Sequence, residues 1–224
     1  MADFQSQAMG LTGLTIDASS TTPSRAEFST FLNDGVIDVT SKWLAFKPKD
    51  AEQFARVTAE LTSNEYDLNG AKIISVVREN GTNDQWRSCR KITAAKQYDV
   101  LDEESLHYAS KTHPAFMIAD NNQVSVFPIP GSDPNEFKIY YVNDVPEETD
   151  GSALDHASTG IKWFPANKVH LVVMYAAIKS LEAKMVSYTL DDEDLELAGS
   201  LANSLASLKA VYTAAFAVVA PKQQ

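Results

Sequence analysis

The chain has 224 residues, 44% of them apolar, which is ample for a buried core in one large or two small domains. Thirty carboxylates stand against 19 Lys and Arg, a formal net charge of -11, and this argues against a protein that grips nucleic-acid phosphates, because such affinity comes from basic side chains. The lone Cys89 excludes an intramolecular disulfide, no basic-then-apolar leader opens the chain, and the longest apolar run, 171–178, falls far short of the ~20 residues of a membrane span, so a soluble protein made inside the cell is expected.

Residues 1–23, small and polar with Gly10 and Gly13, read as an extended N-terminal arm. Ser24 and Glu27 then have capping-box spacing, and Phe28, Leu32, Val36, Val39 and Trp43 follow at steps of three or four, one face of a helix that Pro48 stops. A second box, Asp50 to Gln53, predicts a short helix with Phe54, Val57 and Leu61 on one side. From Gly70 the period changes to two. "AKIISVVREN" and "QWRSCRKI" flank an Asn80-Gly81 turn, "AFMIA" and "QVSVFPI" flank "DNN", and "FKIYYV" alternates. These five strands predict a small antiparallel sheet or open barrel, interrupted by a loop with one helical turn at 98–114.

A linker rich in Pro, Gly and Asp leads to "WFPANKVHLVVMYAAIKSLEAKMV", where Pro165 suits a first helical turn. Leu171, Met174, Ile178, Leu181 and Met185 keep helical spacing, and after "TLDDEDLEL" so do Leu201, Leu205, Leu208, Tyr212, Ala215 and Val219. Two helices of about 20 residues with a short acidic link predict an antiparallel helical hairpin. The first half of the leading helix is apolar on nearly every side, more than one partner helix can cover. Either this chain's other elements or a second chain must cover the rest, and the surplus, together with the arm and the aromatic 163–165, favours a second chain.

The expected fold is therefore α+β. An N-terminal helix and the C-terminal hairpin pack as a bundle, with the sheet of about five strands inserted. The divisions fall at 1–23 (arm), 24–66 (N-terminal helices), 67–150 (β lobe) and 151–224 (linker, hairpin and tail).

Catalytic signatures are not found in the sequence. The acidic run Asp191, Asp192, Glu193 and Asp194 lacks the alternation and central Gly of a calcium loop and reads as a solvated helix start rather than a cation site. Cys89, His107 and His113 match no zinc spacing, and Cys89 falls within a strand pattern, a poor place for a nucleophile. Asp99 with His107 and His113 is the best that a small ligand-binding lobe could offer, and it supplies no nucleophile, base and orienter together. "WRSCRK" (Trp86, Arg87, Arg90, Lys91) reads as the wet face of a strand, and contact with an acidic neighbouring subunit is equally physical. No catalytic, cofactor or metal residues are expected.

"EFSTFLNDGVIDVTSKWL", "DEESLHYASKTHPAFMIADNNQVSVFPIP" and "IKWFPANKVHLVVMYAAIKSLEAKM" together resemble head–tail connector (adaptor, neck) proteins of tailed phages in their helix and hairpin patterns, over roughly 25–190. The resemblance implies a non-enzymatic virion protein, made in the host cytoplasm and located in the neck. It would form a homo-oligomeric ring, commonly of twelve copies, between the portal and the tail or other neck proteins. DNA would pass its lumen without specific binding. Another neck layer or a tail-completion (terminator) protein fits the same patterns, since five expected strands exceed the single hairpin of small adaptors. Trp43, Leu171, Met174, Tyr175, Ile178 and Leu181 are expected to pack within or between subunits, and Phe216, Val218 and Val219 to reach the portal.

Overall fold

The computed structural model describes residues 2–64, 66–68, 70–119, 123–142, 145–190 and 195–217. In chain order the elements are α1 (Phe4–Thr12), α2 (Arg25–Phe46), a 3-10 turn (Pro48–Phe54), β1 (Ala55–Val57), β2 (Tyr66–Asp67), β3 (Ile73–Glu79), β4 (Trp86–Ser88) and β5 (Arg90–Lys91). They continue with a 3-10 turn (Ala94–Lys96), α3 (Gln97–Leu101), β6 (Ala115–Ala119), β7 (Gln123–Phe127), β8 (Phe137–Val142), a 3-10 turn (Ala166–Lys168), α4 (Val169–Leu190) and α5 (Leu195–Ala217). The chain is thus α+β and divides into a helical unit, Met1–Phe54 with Asp144–Gln224, and a β unit, Ala55–Asn143.

In the helical unit the capping box at Ser24 forms as its spacing predicts. The Glu27 amide donates to Ser24 Oγ (3.3 Å) and the Ser24 amide donates to Glu27 Oε2 (2.8 Å), so two amides that the helix start leaves without partners are satisfied. Phe28, Leu32, Val36 and Val39 are buried along α2. Gly35 lets α4 come close: a Cβ there would stand 3.1 Å from Tyr175 Cδ1 and 3.2 Å from the Val172 carbonyl.

Residues 1–23 are not a simple extended arm. Asp3 caps α1 by accepting from the Ser6 amide (2.7 Å), Gly13 at φ 69 ends it, and Phe4 and Ala8, one turn apart, are buried. Amides of Phe4 and Gln5 donate to the carbonyls of Ser158 and His156, both at 3.0 Å. The four apolar residues of α1, Phe4, Ala8, Met9 and Leu11, keep helical spacing, but nine residues interrupted by Gly10 make only a short stripe.

The surplus apolar surface of α4 is covered within its own unit. α1, α2 and α5 all pack on α4, and Leu171, Val172, Val173, Ala176, Ala177, Ile178 and Leu181 are buried. This corrects the expectation that a second chain must shelter that helix. The small side chains at 176 and 177 help several neighbours pack close at once. The aromatic stretch 163–165 is also used internally, with Phe164 edge-on to Phe54 at 5.3 Å.

Lys168, 4% exposed at the start of α4, donates to Gln53 Oε1 (2.7 Å) and lies over the Trp43 ring at 4.4 Å. Burial pulls its pKa down, and the nearby Asp50 carboxylate opposes this. Asp50 in turn accepts from Trp43 Nε1 at 2.8 Å, so the turn after α2 is tied to the start of α4. That turn is the 3-10 segment Pro48–Phe54 and passes straight into β1, where the sequence suggested a helix reaching Leu61.

Among the described residues the β unit has two four-stranded sheets, in the orders β1-β8-β3-β4 and β2-β7-β6-β5, neither of them closed. All pairs are antiparallel except β5 with β6, which run parallel. Both hairpins expected from turn chemistry exist, β3–β4 and β6–β7, while residues 120–122 of the second turn lie outside the described residues. Among the described residues eight strands replace the five expected: β1 and β2 have only two or three residues, too few for an alternating pattern to register, and the single strand read from "QWRSCRKI" is divided at Cys89 into β4 and β5. Val76, Cys89, Phe116, Val124, Val126, Phe137 and Ile139, drawn from both sheets, form one core.

Candidate interaction surface

The residues that sequence reasoning could offer for chemistry are not assembled for it. Cys89 sits where the strand leaves β4 in one sheet to become β5 in the other, and it is buried in the core. Burial pushes its thiol up to about 12, with the Arg78 charge opposing. His107 and His113 are exposed, and a 260 Å³ recess bordered by His107, Arg90, Lys96 and Val100 includes neither Asp99 nor His113. Among the described residues no group of three His, Cys, Asp or Glu could hold a metal ion, and residues 191–194 lie outside them.

The Cys89 environment predicts its reactivity. A pKa of about 12 in place of 9.0 leaves roughly a thousandfold less thiolate at pH 8, so maleimide labelling of the native chain should be slower than that of the urea-unfolded chain by about that factor. The raised value also means that the stability tied to the buried thiol is complete below pH 9 and is lost as pH rises towards about 12. Equal labelling rates in the two states would remove the buried thiol from this account.

The expected packing residues are found in the helical unit. Leu171, Ile178 and Leu181 are buried, and Trp43, Met174 and Tyr175 are half-buried against the same core. Phe216, expected to reach a portal, is 5% exposed and packs edge-on to Tyr212 (5.1 Å) and Trp43 (6.4 Å), so its ring is used inside the chain. The Tyr212 hydroxyl beside it donates to Asp38 Oδ2 at 2.6 Å, and burial, with this bond, holds the phenol proton more tightly than usual. Val218 and Val219 lie outside the described residues.

Exposed large apolar side chains occur in both units, Leu11, Ile37, Phe46 and Val211 among them in the helical unit, and the two most exposed, Leu106 and Tyr98, lie in the β unit. Val100 in α3 and Ala109 are buried with Ala115, Met117 and Phe127, and the Ala109 amide donates to the Val100 carbonyl at 3.0 Å. Arg90 donates to the carbonyls of His107 and, at 3.2 Å, Tyr108. Both ends of the segment are thus fixed while its middle projects. Within it, amides of Ser105 and Tyr108 donate to the carbonyls of Asp102 and Ser105 (both 3.0 Å), and Asp102 Oδ1 and Ser105 Oγ accept from the amides of Glu104 and His107. On these turns Leu106 is 100% exposed with Tyr108 exposed beside it, and Tyr98 (79%) and Leu101 are exposed on α3 just before them. Asp99, Asp102, Glu103 and Glu104 are exposed among them. Period-based reading gives this stretch only one helical turn, because beyond Tyr98 and Leu101 its apolar residues follow neither helix nor strand spacing.

A second surface opens between β3 and β6, a groove of about 610 Å³ bordered by Ile73, Cys89, Phe116 and Ile118 with Lys72 and Lys91 exposed at its margin. The "WRSCRK" stretch is therefore divided among tasks. Trp86 lies under Lys138 (4.2 Å), which also pairs with Glu60 (2.8 Å), Cys89 is core, Arg90 holds the projecting segment, and Arg87 and Lys91 point to solvent.

Among the described residues no helix is long and apolar enough to cross a membrane. Comparison of the sequence with protein-family models and with the curated proteins finds no match.

Proposed function

We propose that this chain is a non-enzymatic virion protein of a tailed phage, a head-to-tail adaptor whose copies close a ring between portal and tail. Two of the three stretches that resemble connector proteins occupy α2 and α4, which pack against each other. The observation that carries the proposal is the 98–108 segment: Tyr98 and Leu101 on α3 and Leu106 and Tyr108 on the turns after it are all exposed, a surface suited to burial by another molecule. The contact between copies thus moves from α4 to the β unit. In this reading α2 and an antiparallel α4–α5 hairpin form a bundle that serves as the wedge of each subunit. The helical unit carries eighteen carboxylates against ten Lys and Arg, so turning it towards the lumen would repel the DNA backbone and let the duplex slide.

The test is particle mass and negative-stain microscopy of the purified chain, alone and with a portal protein from the same virion. Rings, commonly of twelve copies, and a portal complex are expected. Monodisperse monomers throughout, with the portal ignored at every concentration, would overturn the proposal.

A further inference from the structure

We infer that adjacent copies join by seating the 98–108 segment of one in the groove between β3 and β6 of the next. This rests on the adaptor reading and identifies its subunit contact. The groove exists because two short strands stop early. β4 pairs with β3 only at Val77–Glu79 and the Cys89 amide donates to the Val76 carbonyl, so among the described residues no strand flanks Ile73–Ser75 on that side. β5 likewise pairs with β6 only at Ala115 and Phe116, which leaves Met117–Ala119 without a strand on that side. The opening of about 610 Å³ is in the range of pockets that enclose a small ligand, about 300–1,000 Å³, and has room for Leu106 and an aromatic ring.

Charge favours a second copy as the occupant. The segment carries four exposed carboxylates between Asp99 and Glu104, and the groove presents Lys72 and Lys91. Two acidic segments facing each other would repel, whereas segment into groove brings opposite signs together around an apolar centre. Because the two surfaces use different residues, the contact is head-to-tail, the kind that closes a ring when the rotation per subunit permits.

The experiment uses two full-length variants. Leu101→Glu/Leu106→Glu spoils the segment, and Lys72→Glu/Lys91→Glu spoils the groove. All four positions are exposed, so melting temperatures should match the wild type. Each variant alone should self-associate at least about thirtyfold more weakly in sedimentation runs. An equal mixture should give a 1:1 dimer and nothing larger, since each variant contributes one intact surface. If the wild type forms rings and either variant does so equally well, or the mixture fails to dimerise, this contact is rejected and the adaptor stands. A wild type that stays monomeric, with and without portal, rejects both.

Discussion

Arg78→Met is expected to destabilise the β unit by about 3–5 kcal/mol. Arg78 is 1% exposed, in the middle of the sheet, where it pairs in register with Phe137 of β8 and Arg87 of β4. Its guanidinium donates to the carbonyls of Glu79 (2.6 Å), Pro128 (3.0 Å) and Ile129 (3.4 Å), and so fastens the loop after β7 to the end of β3. Burial lowers its pKa, and the Glu79 charge helps to restore it. Glu79, buried beside it, accepts from the amides of Asp84 and Glu136, both at 3.1 Å. Met fills the space of the stem but leaves three carbonyls without a donor and removes the positive charge near Glu79. Amide exchange in β3 and β8 should quicken by about two to three and a half orders of magnitude, since each 1.4 kcal/mol is tenfold. Protection equal to the wild type would show that the buried charge contributes nothing net. Arg78→Lys should recover only part of the loss, because an ammonium cannot reach three divergent acceptors with the geometry of a guanidinium.

Leu181→Ala should cost about 2–5 kcal/mol, the range for a fully buried leucine that leaves a cavity. Leu181 is 0% exposed in the core shared with Phe28, Leu32 and Leu205. Thermal melting measures the loss. Paired with Leu106→Glu it separates the two jobs that the sequence assigned to one helix. The α4 change should lower the melting temperature and leave association per folded molecule unchanged, and the exposed Leu106 change should do the reverse. If instead Leu181→Ala left the melting temperature alone and dissolved the oligomer, the cover that α1, α2 and α5 give α4 would be the wrong account of that helix.

The long helices were legible in the chain because their information is local. Ser24 and Glu27 act within one turn, and the apolar steps from Phe28 to Trp43 and from Leu171 to Met185 repeat often enough to stand out. The two hairpins were legible for the same reason: Asn80-Gly81 and the 120–122 turn each sit between alternating runs. α1 escaped notice because it is short and holds Gly10, and Phe4 and Ala8 gain their burial in a core that includes α4, more than 150 positions away. β1 and β2 escaped because a two- or three-residue strand is defined by its partner rather than by its own pattern, and β4 and β5 were read as one strand because the crossing between sheets at Cys89 leaves no mark in the alternation.

By itself, then, the sequence determined the class of fold, the start of α2 and the periods of the helices and longer strands, all consequences of contacts between near neighbours. It also showed that α4 needed covering on several sides. Which molecule covers it was a tertiary matter, decided by α1, α2 and α5 closing over Ala176, Ala177 and their neighbours. The same holds for Leu106 and Tyr98. Nothing in their spacing says whether they face inward: Leu106 faces water because Val100, Ala109 and Arg90 hold the two ends of its loop, and Tyr98 because Val100, two residues on, takes the inner face of α3.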